Sequence, residues 1–196
     1  MTFLRTLRVG AGLAGILVLL MVPDSSQGAT CGSNTCTITG TSGNDSLGGT
    51  SNRDVMCGLA GDDTLTGAEG DDQICGDSGS DEIYGNEGND WLSGGLNDSS
   101  YDLIFGDRLN PIDPPSAGND LLLGYGGGDD LAGEAGDDTV WGANGQDNIL
   151  GGDGHDDLNG EDWSDTIDGG SGSDIIDGGS GFDTCYNGET VSNCEA

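Results

Sequence analysis

From residue 40 onward the large apolar residues arrive singly and at a fixed interval. Leu47, Met56, Leu65, Ile74, Ile83 and Leu92 follow one another every nine positions, and Leu122, Leu131, Val140, Ile149, Leu158, Ile167, Ile176 and Cys185 keep the same interval further on. Two residues before each stands an aspartate: Asp45, Asp54, Asp63, Asp72, Asp81 and Asp90 in the first run, then Asp120, Asp129, Asp138, Asp147, Asp156, Asp165, Asp174 and Asp183. Glycine opens every unit of the first run, from Gly40 to Gly85. The pattern predicts very short strands that each turn one apolar side chain inward. Between them lie turns in which glycine gives access to positive φ.

The interval is broken once. Residues 94–105 are three too many for a unit, yet they end in Asp102-Leu103-Ile104, which has the same spacing of acid and apolar residue. The following nine carry Pro111 and Asp113 where an aspartate and an apolar residue belong. With Pro114 and Pro115 alongside, the stretch 94–114 reads as an irregular insertion bulging from a regular scaffold. Loops so placed often carry function.

Gly151–Asn159 reads GGDGHDDLN and Gly169–Asp177 reads GGSGSDIID, and both match the nonapeptide G-G-x-G-x-D-x-U-x at every fixed position. The repeats resemble those of the RTX (repeats-in-toxin, haemolysin-type) calcium-binding family. The resemblance implies an all-β fold, a parallel β-roll or β-solenoid in which each nonapeptide is half a turn. It also implies calcium held between aspartate carboxylates and glycine-loop carbonyls of turns stacked 18 residues apart. The aspartates named above are the expected ligands, in pairs such as Asp54/Asp72 and Asp147/Asp165, giving up to about ten in-register sites. Asn52 and Trp163 replace the fourth-position glycine, and the sites beside Trp163 are expected to suffer.

Composition sharpens this reading. The chain has 40 glycines, four basic and 36 acidic residues, and a formal charge of −32, which without a regular pattern would indicate disorder. So few basic residues exclude nucleic acid as a partner. Carboxylates in such excess suit a hard cation such as Ca²⁺. A nine-residue unit that buries a single large side chain also gains little against the entropy of ordering it, so ion binding is expected to drive folding.

Arg5 and Arg8 followed by the apolar run Val9–Val22 and the small residues Ser26 and Gly28 indicate a secretory signal peptide over 1–28. The run is too short to span a bilayer, so an extracellular location without a stable membrane span is expected. The remaining organisation is an N-terminal cap with a cysteine pair (29–39), a first repeat block (40–93), the insertion (94–114), a second block (115–186) and a C-terminal cap (187–196).

Six cysteines in an exported chain indicate disulfides. Cys57 and Cys75 share the ninth position one rung apart, about 4.8 Å in a sheet, and are expected to pair. Cys31–Cys36 is expected to close the N-terminal cap. Cys185–Cys194 is expected to close the other end, both at the eighth position if the facing sheets pinch together. Exchange among these cysteines stays open, because spacing alone does not define connectivity.

No enzyme is expected. His155 is the only histidine, in a repeat turn, and the carboxylates follow the ion-binding phase rather than marking one acid–base pair. The aromatic residues Tyr84, Phe105, Trp91 and Trp141 leave a calcium-dependent adhesive or glycan-binding module as the alternative, with an extracellular glycan or protein as partner. Padding of the roll is the simpler use of those rings.

Overall fold

A computed structural model describes residues 29–96, 99–107 and 118–194. The expected signal peptide and the prolines of the insertion lie outside these residues. In chain order the strands are β1 (Thr30–Cys31), β2 (Asn34–Thr35), β3 (Ile38–Thr39), β4 (Ser46–Gly48), β5 (Val55–Ala60), β6 (Thr64–Glu69), β7 (Gln73–Ser78), β8 (Glu82–Glu87), β9 (Trp91–Ser93), β10 (Leu103–Phe105), β11 (Leu121–Gly126), β12 (Asp130–Ala135), β13 (Thr139–Asn144), β14 (Asn148–Gly154), β15 (Asp157–Asp162), β16 (Thr166–Gly172), β17 (Ile175–Asp177), β18 (Thr184–Tyr186) and β19 (Thr190–Ser192).

Successive strands alternate between two parallel sheets. The even-numbered strands from β4 to β18 form an eight-stranded sheet, and the odd-numbered strands from β3 to β19 a nine-stranded one. Each nonapeptide therefore crosses from one sheet to the other, and two complete a turn of a parallel β-solenoid. The register aligns the eighth-position residues: Leu47 pairs with Leu65 and Leu65 with Ile83, while in the other sheet Met56 pairs with Ile74 and Ile74 with Leu92. These side chains meet between the sheets as one continuous core running from Met56 to Ile176. One large apolar side chain per half-turn fills the space, and each stacks on the like residue of the next rung.

The break does not divide the roll. β10 pairs with β8 on one side and β12 on the other, and β11 pairs directly with β9. Ile104 takes the inward position between Ile83 and Leu131. Residues 103–105 thus belong to the solenoid, and residues 108–117 lie outside the described residues.

The cysteines depart from expectation at the N-terminus. β1 and β2 form an antiparallel hairpin that lies against the outer face of β5 and β7. Cys31 bonds to Cys75 and Cys36 to Cys57, with Cα separations of 5.6 and 6.0 Å, in place of the expected Cys31–Cys36 and Cys57–Cys75 bridges. Cys57 and Cys75 are register partners, as the spacing indicated. Their side chains leave the sheet on the outer face, however, and the hairpin folded over that face offers each a closer fit. Gln73 ties the hairpin down by donating from Nε2 to the Cys31 carbonyl at 2.8 Å, and it also bonds Asn34.

At the other end Cys185 does bond to Cys194. Val191, not Cys194, is the register partner of Ile176. The last turn is three residues short, so Cys194 lies beyond β19, where it reaches Cys185.

Candidate metal centre

The aspartates two residues before each core side chain lie along both edges where the chain passes between sheets. They are buried: Asp63, Asp72, Asp81, Asp90, Asp120, Asp129, Asp138, Asp147, Asp156, Asp165, Asp174 and Asp183 are all at most 3% exposed, and Asp54 8%. In each edge they make a ladder. The backbone N–H of one aspartate donates to Oδ1 of the aspartate one turn later, for example Asp54 to Asp72 at 2.7 Å, Asp138 to Asp156 at 2.9 Å and Asp165 to Asp183 at 2.9 Å. The backbone carbonyl is used as well: that of Asp63 accepts from Glu82 N–H and that of Asp147 from Thr166 N–H.

The stacked partners expected inside each block are all joined in this way, and the ladder continues through the break. Asp81 donates to Asp102, Asp102 to Asp129, and Asp90 to Asp120, across sequence separations of 21, 27 and 30. Asp102 is therefore a full member of the array, although it was not among the residues expected to ligate. Glu189 is another. It accepts from the Asp174 N–H 15 residues earlier and takes the aspartate's place in the shortened last turn. Glu189-Thr190-Val191 keeps the spacing of acid and core-facing residue, which is the signal that would have revealed it.

The second carboxylate oxygen defines the chemistry. Oδ2 of Asp63, Asp72, Asp90, Asp120, Asp138, Asp147, Asp156, Asp165, Asp174 and Asp183 is buried and accepts no hydrogen bond. Each of these oxygens points at the glycine that opens its own unit, except that of Asp120, which points at Gly106. A Cβ on Gly67 would collide with Asp72 Oδ2 and stand 2.7 Å from the Gly85 carbonyl oxygen one turn on. Gly151 is placed alike against Asp156 Oδ2, with the Gly169 oxygen at 2.5 Å. The first-position glycines are thus required because carboxylate and carbonyl oxygens occupy the space of a side chain.

Oxygens converging without a donor are held apart only by cost, and burial moves their protonation accordingly. Desolvation raises the carboxyl of Asp72, Asp147 and Asp156 to about 6, of Asp90, Asp138 and Asp165 to about 7, and of Asp120 to about 8. Neighbouring aspartates add to the rise in most of them; at Asp90, for instance, Asp72 contributes.

An all-oxygen donor set of carboxylates and carbonyls, buried and lacking hydrogen-bond donors, fits a hard divalent cation of the size and coordination habit of Ca²⁺. Among the described residues no three His, Cys, Asp or Glu side chains gather as a side-chain-only site. A cation here would draw on backbone carbonyls to complete its shell.

Two expected ligands differ from the rest. Asp45 Oδ2 accepts from the backbone N–H and the hydroxyl of Thr41 at 2.6 and 2.9 Å, and Asp54 Oδ2 from Thr50 at 2.7 and 2.9 Å. A second-position threonine satisfies the oxygen that elsewhere lacks a partner, so the first turn is closed by hydrogen bonds. Trp163, by contrast, leaves its turn intact. It adopts a φ of 90°, exposes 65% of its surface, and Asp165 beside it bonds to Asp183 like its neighbours.

The RTX calcium-binding nonapeptide repeat, described as a four-copy unit, matches this chain in overlapping stretches over residues 37–65, 48–83, 66–100, 116–149, 123–158 and 150–185. These cover well over half of the sequence. The chain belongs to the RTX calcium-binding repeat family, and it is a calcium-binding repeat protein. No curated protein matches it.

Proposed function

We propose that this is an exported protein that folds on binding calcium, the ions seated along both edges of the roll between stacked aspartates. The column of buried, unbonded Oδ2 atoms carries this reading. Water cannot reach them, no donor faces them, and a fold that confines them in two rows gains from a counter-ion at each step. The ligands would be the carboxylates of successive ladder aspartates and the carbonyls of the glycine turns. Asp102 and Glu189 join the array, and Asp45 and Asp54 take part least. Calcium then acts in place of the larger core that this architecture lacks.

The leader over residues 1–28 and the disulfides support export, since disulfides persist in oxidising compartments. The glycan-binding alternative keeps only part of its aromatic support. Tyr84 and Phe105 stack face to face with centroids 5.2 Å apart and an interplanar angle of 6°, which occupies one face of each ring, while Trp141 is 48% exposed.

Far-UV circular dichroism of the purified protein in chelator and then in millimolar Ca²⁺ tests the proposal. A strand signal that develops on adding calcium is the expected result. Identical spectra in both conditions would overturn it.

A further inference from the structure

Asp107 uses the second position of its turn differently from most other turns. In most turns that position is left-handed, as at Asp77, Glu134 and Glu161 with φ of 74°, 78° and 72°, though not at Thr41 or Thr50. Asp77 and Glu134 are half-buried, and Glu161 is exposed. Asp107 follows the first-position Gly106 in the same way, but it is not left-handed, and it is 1% exposed. Its Oδ2 accepts from the N–H of Gly118, the fourth-position glycine, at 3.2 Å. The carboxylate therefore clamps the two ends of the insertion together and is turned into the edge of the roll.

Both glycines it is tied to border the aspartate ladder. The Gly106 carbonyl faces the space filled by Asp90 Oδ2, and Asp120 Oδ2 fills the space beside the Gly106 Cα. Gly118 lies against Asp120 Oδ1. Asp90 and Asp120 are each 3% exposed, and their Oδ2 atoms accept no hydrogen bond.

We propose that the step between Asp90 and Asp120 is the most strongly charged cation site of the roll, with Asp107 lending it a third carboxylate that the nonapeptide pattern does not supply. This rests on the calcium reading above and goes beyond it, because it singles out one step of a periodic array. Ion affinity in oxygen sites follows the number of ligand charges and the rigidity of the site, and the clamp supplies both. Asp107 need not touch the ion: a buried carboxylate held beside the site still strengthens its binding. The step would then fill before the others, at the place where the regular repeat is interrupted.

Calorimetric titration of the purified protein with Ca²⁺ tests this, alongside Asp107→Asn and Glu134→Gln. Asparagine keeps an oxygen for the Gly118 N–H, while Glu134→Gln removes the same charge from the second position of a neighbouring turn. Wild type is expected to show a tight class of about one ion ahead of the remainder. Asp107→Asn should weaken that class by about tenfold or more, whereas Glu134→Gln leaves it in place. If wild type binds calcium but Asp107→Asn titrates identically, or if both variants weaken the tight class equally, the inference fails and the general calcium reading stands. If wild type binds no calcium, both fail. Should Asp107→Asn not reach the wild-type dichroism in saturating Ca²⁺, Asp107→Glu decides: a tight class kept by this charge-preserving variant supports the inference, and its loss overturns it.

Discussion

Glycine is the residue on which the turns depend, and its positions are not equivalent. At Gly136 φ is +140°, and a Cβ would overlap the Gly118 carbonyl oxygen of the turn before. At Gly48, within β4, no atom lies within 4 Å of where a Cβ would be. Gly136→Ala should therefore cost about 2 kcal/mol or more, from strained backbone and overlap with a neighbour that cannot yield. Gly48→Ala should change stability by less than about 0.5 kcal/mol, with the loss of unfolded-state freedom working in its favour. Urea unfolding in saturating Ca²⁺ separates the two, and equal midpoints would contradict the assignment. The phase of aspartate and apolar residue was legible directly, because every unit must bury the one and confine the other. The tolerance at Trp163 was not. The expected penalty is real for the backbone, but an exposed side chain with room around it lets the turn keep its shape.

The hairpin β1–β2 shows what periodic reasoning misses. In-register counting compares each cysteine only with positions one rung or half a rung away. The hairpin instead doubles back over a sheet face, and its cysteines meet side chains 44 and 21 residues on. Loops of those lengths constrain the unfolded chain by roughly 3–4 kcal/mol each on the entropic account. Both bridges anchor to adjacent strands, β5 and β7, so together they fasten the first turns independently of any ion. Double substitution Cys31→Ser with Cys75→Ser is expected to raise the calcium concentration needed for folding, because ion binding must then supply that constraint. The Cys185–Cys194 bridge closes a loop of only 9 residues, so replacing these two cysteines should shift the midpoint less. Calcium titration followed by circular dichroism measures both shifts, and a larger effect at the C-terminal pair would count against this account. The register shifts at the break and at the last turn were half-legible in the same sense. Asp102-Leu103-Ile104 and Glu189-Thr190-Val191 both keep the spacing of acid and core-facing residue, and only their distance from the preceding unit hides them.

Taken as one body, the roll is a long core one side chain wide between two rows of confined carboxylates, and its stability must follow the state of those rows. Burial raises Asp72, Asp147 and Asp156 to about 6, Asp90, Asp138 and Asp165 to about 7 and Asp120 to about 8, from an ordinary value of 3.8. With calcium removed, the folded roll therefore binds more protons than the unfolded chain between about pH 4 and pH 8. Stability consequently falls as pH rises through that window: it is fully present below the unfolded value and lost as the folded carboxyls ionise. Calcium reverses the dependence, since the ion takes the place of the protons and binds better as they leave. In chelator, the strand signal is expected near pH 4 and should fade toward pH 8; in millimolar Ca²⁺ it should persist at pH 8, and binding there should release protons into the buffer. A chelated protein better folded at pH 8 than at pH 4 would mean that the carboxylates are not confined as described. The two titrations test one physical idea from opposite sides. Each row can be neutralised by protons or by calcium, and near neutral pH, where protons are scarce, the cation is what allows the chain to close into a roll.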